Sequence, residues 1–216
     1  MNCLKVFFIF SLFFCGSVVG FQYWKMAQNW PKGFCKHNKC VYPEEQLPLK
    51  FTIHGLWPSD YGKQQPEFCL KNSGPGNKRA PLYLTKELLA KLNQDWRSYT
   101  AWTNNQFWTF EWSKHGSCSY MSKIDYFNLA EDIYAKNDIQ QILGASNILP
   151  NNTYGANEIM IAIRTSPIGV EPELKCINGD LVEIHLCLNT NPIPDYINCP
   201  PPRKTTCPIN NVNFTI

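Results

Sequence analysis

Residues 51–60 read FTIHGLWPSD, with Phe51 and Ile53 alternating against Thr52 and His54. That is the period of a half-buried strand, which Gly55 is expected to end. His54 then stands at a strand end, turned away from the core. Further along, residues 107–118 read FWTFEWSKHGSC. Glu111, Lys114, His115 and Cys118 follow the i, i+3, i+4, i+7 spacing and share one face if Trp108 to Ser117 is helical. Phe107, Trp108 and Trp112 are read as the core side of that helix, and the Cys118 thiol as a pin at its end. The two histidines therefore come from different elements, each placed to present an imidazole to the same cleft.

Two imidazoles, one ammonium and one carboxylate suit phosphoryl transfer within RNA. The ribose 2′-OH must lose a proton as it attacks the adjacent phosphorus, and the departing 5′ oxygen must gain one. Two groups that titrate near pH 7 divide that work, each contributing roughly 10² to 10⁴ in rate. The pentacovalent phosphorane gathers negative charge, so a lysine aimed at its non-bridging oxygens favours the transition state over the ground state. Glu111 is expected to hold Lys114 and His115 in register or to hydrogen-bond a protonated phosphoryl oxygen. No pair of CxxC units and no HExxH motif is present, so neither a metal nor a cofactor is implied.

At these residues the chain resembles the ribonuclease T2 family. HGLWP at 54–58 and EWSKHGSC at 111–118 match its two active-site segments in the family order, and the resemblance runs from about Phe21 to the C-terminus. It implies a disulfide-stapled α+β domain in which His115 is the general base and His54 the general acid. Glu111 and Lys114 then stabilise the transition state. Trp57 is expected to wall a base site, where aromatic stacking is worth roughly 1 to 3 kcal/mol per base. Many members have a histidine directly before the glutamate, where this chain has Phe110, and many follow HGLWP with aspartate, where it has Ser59. Phe110 is thus expected at the phosphate-binding position with weakened binding, and its presence points to the self-incompatibility branch, the plant S-RNases. That branch implies a pollen-side recognition protein as a partner beside the RNA substrate.

Lys5 precedes the apolar run Val6 to Phe14, and Val18-Val19-Gly20 supplies a small-residue cleavage pattern, so residues 1–20 are read as a secretory signal peptide. Residues 21–216 form the expected single catalytic domain, secreted, monomeric and without a membrane anchor. Cys35, Cys40, Cys69, Cys118, Cys176, Cys187, Cys199 and Cys207 remain, an even number that reads as four disulfides with connectivity open. The short gap favours Cys35 with Cys40. The family pattern implies Cys69 with Cys118, Cys176 with Cys207 and Cys187 with Cys199. Asn151 and Asn213 head N-glycosylation sequons, consistent with secretion.

The coarse element order is mixed: a strand near Gln22 to Gln28, the His54 strand, helices near Thr85 to Trp96, at the His115 segment, near Ile124 to Tyr134 and at Ala156 to Arg164. Leu174 to Cys176 and Leu181 to Leu188 flank Asn178-Gly179 as a hairpin. Without regular βαβ alternation this indicates α+β, a central antiparallel sheet flanked by several helices. Phe21 to Lys91 carries eleven basic against five acidic residues, so the first half is the expected RNA-facing side. Lys71, Lys78 and Arg79 lie there in a Gly/Pro/Asn-rich loop, read equally as solvated or as phosphate-contacting. His37 is expected at the surface and His185 on a strand, facing away from the side of Val182, Ile184 and Leu186, with no catalytic part. Three function classes follow: an S-RNase, an S-like ribonuclease for phosphate scavenging or defence, and a non-catalytic binding protein on the same fold. Keeping both His54 and His115 argues against the last.

Overall fold

The computed structural model describes residues 20–70, 83–201 and 206–216. All but the last residue of the expected leader, and the loop residues Lys71, Lys78 and Arg79, lie outside the described residues.

The centre is the strand Asp180–Leu188, here β5, whose every residue is buried. Its numbering follows β1 (Tyr23–Asn29), β2 (Thr52–Ser59), β3 (Asn152–Tyr154) and β4 (Glu173–Ile177), and it precedes β6 (Tyr196–Ile197) and β7 (Val212–Phe214). The main ladder runs β2-β1-β5-β7-β3, with β4 and β6 also paired to β5. β4 folds back on β5 through Asn178-Gly179, both at positive φ (50° and 87°), as a two-residue hairpin with this twist demands. The sheet is not wholly antiparallel as expected: β5 meets β7 in parallel at Asp180 and Asn213. Parallel neighbours need a long connection, consistent with the distance in sequence between Leu188 and Val212.

Six helices flank this sheet among the described residues: α1 (Pro31–His37), α2 (Lys86–Asp95), α3 (Asn104–Lys114), α4 (Lys123–Ala135), α5 (Ile139–Ala145) and α6 (Ala156–Arg164). Thr85 caps α2, a Thr103–Gln106 capping box starts α3, and Ser122 caps α4. The seven-residue α1 and α5 were not anticipated, because under two turns shows no legible period. α3 begins earlier and stops earlier than the expected Trp108 to Ser117. His115 is its C-cap, and Gly116–Cys118 continues as a 3-10 turn. A Cβ at Gly116 would press into Trp112 and Tyr126, so the glycine lets the turn lie against the core.

β2 runs past Gly55 because a bulge resets its alternation. Ala27 pairs with Gly55 and Gln28 with Ile53, which makes His54 the extra residue. Ile53 and Leu56, three apart, then both point into the core, while His54 and Trp57, also three apart, are the half-exposed pair on the other face. The bulge frees the His54 carbonyl from the ladder, and the indole N–H of the fully buried Trp96 donates to it at 2.8 Å. Trp108 on α3 donates in turn to the Trp96 carbonyl at 2.6 Å. Two indoles thus tie α3 to the strand that carries the first histidine.

Beneath the sheet, Tyr126 and Tyr134 of α4 donate to the carbonyls of Leu56 (2.8 Å) and Phe51 (2.7 Å). Each large apolar side chain packed here contributes roughly 1.5 to 3 kcal/mol by leaving water. All four disulfides pair as expected: Cys35–Cys40 as the short gap favours, and Cys69–Cys118, Cys176–Cys207 and Cys187–Cys199 as the family pattern implies.

Candidate active site

The bulge turns His54 and Trp57 to one side of the sheet, their ring centroids 5.1 Å apart. The other face of that cleft is the C-terminal end of α3. There the Trp57 indole lies 5.2 Å from the His115 ring, so one tryptophan separates the two imidazoles. Phe107, read as core, is half-buried instead and lies 6.0 Å over His54 in a stacked arrangement, closing the near wall. Trp108 and Trp112 are buried as expected.

His54 directs Nδ1 at the Oε1 of Glu183, 3.0 Å away. A carboxylate can only accept, so Nδ1 carries the proton and Nε2 is left for the cleft. Burial pushes the His54 pKa down, but the charge and hydrogen bond of Glu183, with Glu111 behind them, outweigh it and leave it raised. His115 goes the other way. Buried, with Nδ1 lacking a hydrogen-bond partner, and facing the charges of Lys114 and His54, it is lowered to about 3.

Glu111 is buried, and its Oε2 accepts from the Trp57 indole at 3.0 Å. Burial raises its pKa despite His54, Trp57 and Lys114. The expected grip of Glu111 on Lys114 is replaced by Glu67, whose carboxylate lies 3.2 Å from the ammonium. The same ammonium stands 5.7 Å from the Phe110 ring, which packs edge-on against Trp102 at 5.2 Å. Gly55 makes the close approach possible: a Cβ there would collide with the Trp57 indole and the Glu111 carboxylate.

Ser59 is buried, donates to the Trp57 carbonyl and accepts from Gln65, so its hydroxyl is committed to the protein. Beside Trp57 opens a cleft of about 280 Å³, lined among others by Tyr23, Lys25, Asp60, Gln65 and Glu173. His37 lies elsewhere, and is half-buried rather than a free surface residue because its Nε2 meets Asp180 at 2.7 Å. Asn151 is exposed, whereas Asn213 is half-buried on β7 and accepts from Thr153. No cluster of His, Cys, Asp and Glu able to hold a metal ion occurs among the described residues.

Sequence reasoning missed Glu183, Glu67 and Trp96. Only Glu183 left a signal: a carboxylate inside the apolar run 181–188 has to be compensated by some partner.

Comparison with known proteins matches this arrangement. The model of the ribonuclease T2 family covers residues 21–199. Ribonuclease DdI of Dictyostelium discoideum is 34% identical over 194 residues, 87% of this chain and 82% of that protein. Ribonuclease S-3 of Pyrus pyrifolia is 34% identical over 230 aligned positions, 98% of each. Among solved structures, RNase NT in complex with 5′-AMP matches with a TM-score of 0.75 at 26% identity, over 90% of this chain and 98% of that one. The chain belongs to the ribonuclease T2 family of metal-independent endoribonucleases, with the pear S-RNases among its relatives.

Proposed function

We propose that this protein is a secreted, monomeric endoribonuclease that cleaves single-stranded RNA through a 2′,3′-cyclic phosphate, and that it serves as a pistil self-incompatibility determinant. One observation carries the chemical part. The two imidazoles flanking Trp57 are pushed in opposite directions, His54 toward its protonated form and His115 toward its neutral form. Titratable groups whose environments separate them this way divide into acid and base. His115 then takes the 2′-OH proton as the P–O2′ bond forms, and His54 gives its Nε2 proton to the departing O5′ as the P–O5′ bond breaks. An entering phosphate offsets the Lys114 charge that depresses His115, and so raises its basicity in the complex.

Lys114 and Glu111 act on the phosphorane. The Glu67 pair is partly exposed and worth about 0 to 1 kcal/mol, whereas a donor to a transition-state oxyanion is worth roughly 2.7 to 4 kcal/mol. Substrate therefore draws Lys114 away from Glu67. Glu111, with its raised pKa, donates to a phosphoryl oxygen when protonated. Trp57 and Phe110 border the substrate. RNase NT binds 5′-AMP, which supports a nucleotide ligand for the same cleft here.

The recognition role rests on Phe110 and on the similarity to pear S-RNases, with the basic segment that includes Lys71, Lys78 and Arg79 offered to a pollen-side protein. The equal identity to the Dictyostelium enzyme supports a second reading, an S-like ribonuclease with the same chemistry and no mating partner. The purified protein should cleave RNA but not DNA in EDTA and release a 2′,3′-cyclic phosphate, and either His54→Ala or His115→Ala should lose at least ~10² of kcat. Activity restored only by a divalent ion would overturn the chemistry. Transcripts absent from styles and abundant in roots or senescing leaves would overturn the mating role and leave the S-like enzyme.

A further inference from the structure

Glu183 and His185 are polar residues inside the otherwise apolar stretch Leu181 to Leu188 of β5. Both are buried. They share the sheet face that carries Trp57, whose ring lies 5.6 Å from His185. Glu183 uses both oxygens: Oε1 accepts from His54 Nδ1 at 3.0 Å and from Lys175 at 3.1 Å, and Oε2 accepts from His185 Nε2 at 2.6 Å. Beyond His185 the chain of groups continues. Its Nδ1, which makes no hydrogen bond, is 3.4 Å from Glu173, and Glu173 takes the Lys25 ammonium at 2.6 Å. Five groups of alternating character, His54, Glu183, His185, Glu173 and Lys25, thus run across four neighbouring strands, β2, β1, β5 and β4, from the active-site cleft to the cleft lined by Lys25 and Glu173. The innermost member is the histidine read above as the acid.

We propose that Glu183 is a positioning residue for cleavage: it holds His54 in the Nδ1–H tautomer with Nε2 in the cleft, and His185, with the Glu173–Lys25 pair beside it, fixes Glu183 in turn. This rests on the assignment of His54 as proton donor. The charged and titratable groups around His54 are Glu183 from β5, Lys175 from β4, and Glu111 and His115 from the end of α3. Of these, Glu183 alone among the described residues hydrogen-bonds its ring. Glu183 itself stays ionised, because His54 and His185 more than offset the burial that would raise it. Its charge is therefore constant across neutral pH, while the His54 proton it retains is the one lost as pH rises. Removing that charge moves the loss of the proton to lower pH.

The test compares Glu183→Gln with wild type on a dinucleotide and on a uridine 3′-(4-nitrophenyl phosphate), whose leaving group departs without a proton. On the dinucleotide, kcat should fall by about 10- to 100-fold at pH 7, short of the whole of a general acid, with KM nearly unchanged. The alkaline limb of the pH profile should move down by about 1 to 3 units, the usual effect of an opposite charge at this distance. The nitrophenyl ester should be nearly spared. His185→Gln should shift the same limb in the same direction by less, and Glu183→Asp should restore part of the limb's position. Equal losses on both substrates, or an unmoved limb, would overturn the proposal while an inactive His54→Ala left the assignment of the acid standing. A fully active His54→Ala would instead remove that assignment and this inference with it. If Glu183→Gln fails to fold, ¹⁵N NMR of the wild-type protein decides: neutral His54 protonated at Nδ1 supports the proposal, and neutral His54 protonated at Nε2 sinks it.

Discussion

Trp96→Phe separates positioning of the bulge from simple packing. Phenylalanine keeps a ring beside Phe127, 5.2 Å away in the wild type, and keeps the backbone carbonyl that Trp108 uses. What it removes is the N–H bonded to the His54 carbonyl. An orphaned buried acceptor costs roughly 1 to 3 kcal/mol. The ring volume lost, about 40 Å³ at roughly 24 cal/mol per Å³, adds about 1 kcal/mol if nothing collapses into it. The sum of about 2 to 4 kcal/mol corresponds to a Tm lower by about 4 to 16 °C for a chain of this size. Because the same carbonyl belongs to the residue carrying the acid, kcat at 25 °C should fall about tenfold with KM little changed, as expected when a reacting group is slightly misplaced. Trp30→Phe is the control. Its indole donates to Thr215, far along the chain from either histidine, so it should lower Tm and leave kcat alone. Thermal melts by circular dichroism and initial rates on a dinucleotide read both quantities. Equal kcat for Trp96→Phe and Trp30→Phe at comparable Tm would refute the link between the indole and His54.

Gly55→Ala should keep the fold but drive Trp57 off Glu111, lowering kcat by about 10² with little change in Tm; rates within twofold of wild type would show that the close approach is dispensable. Lys114→Ala should cost about 2.7 to 4 kcal/mol in kcat/KM, whereas Glu67→Gln, which frees the same ammonium, should leave kcat/KM unchanged or higher; a loss in Glu67→Gln equal to that in Lys114→Ala would mean that the pair acts as one unit. Glu131 is buried on α4 and raised to about 7 by burial and the nearby Asp95 charge. Its folded pKa exceeds the unfolded one, so the wild type loses stability as pH climbs from about 4.5 to about 7. Glu131→Gln should therefore be more stable by up to about 3 kcal/mol at pH 8 and nearly neutral at pH 4, and urea titrations showing the same gain at both pH values would contradict this origin.

Much of the site was legible because both motifs are local. Residues within one turn share a face by period alone, so Glu111, Lys114 and His115 could be named together, and His54 was joined to them by the chemistry of paired imidazoles and the family order of the two motifs. The Asn178-Gly179 hairpin was legible for the same reason: a turn type is written in adjacent residues. The bulge was not, since whether His54 is an extra residue depends on how Ala27 and Gln28 register against it. Cys118 kept the helical spacing past the true end of α3 and so masked the break, which Gly116 makes through contact with Tyr126, ten residues on. Glu183 and Glu67 reach their partners across separations of 129 and 47 residues, by difference of their numbers. No period connects such pairs, and a free carboxylate looks identical in sequence to a bonded one.

The Cys69–Cys118 bond joins two strips of backbone that also share the Phe68 N–H to Lys114 carbonyl bond, the Cys69 N–H to Ser117 hydroxyl bond and the Glu67–Lys114 pair. Cleaving that one covalent link would leave these three noncovalent contacts alone to hold residues 67–69 against the end of α3. In a thiol-rich compartment a reductant would meet the exposed Cys69 side of the pair first, because Cys118 is buried. The first loosening there would be local, at the segment that pairs with Lys114, and would come ahead of any opening of the hydrophobic core.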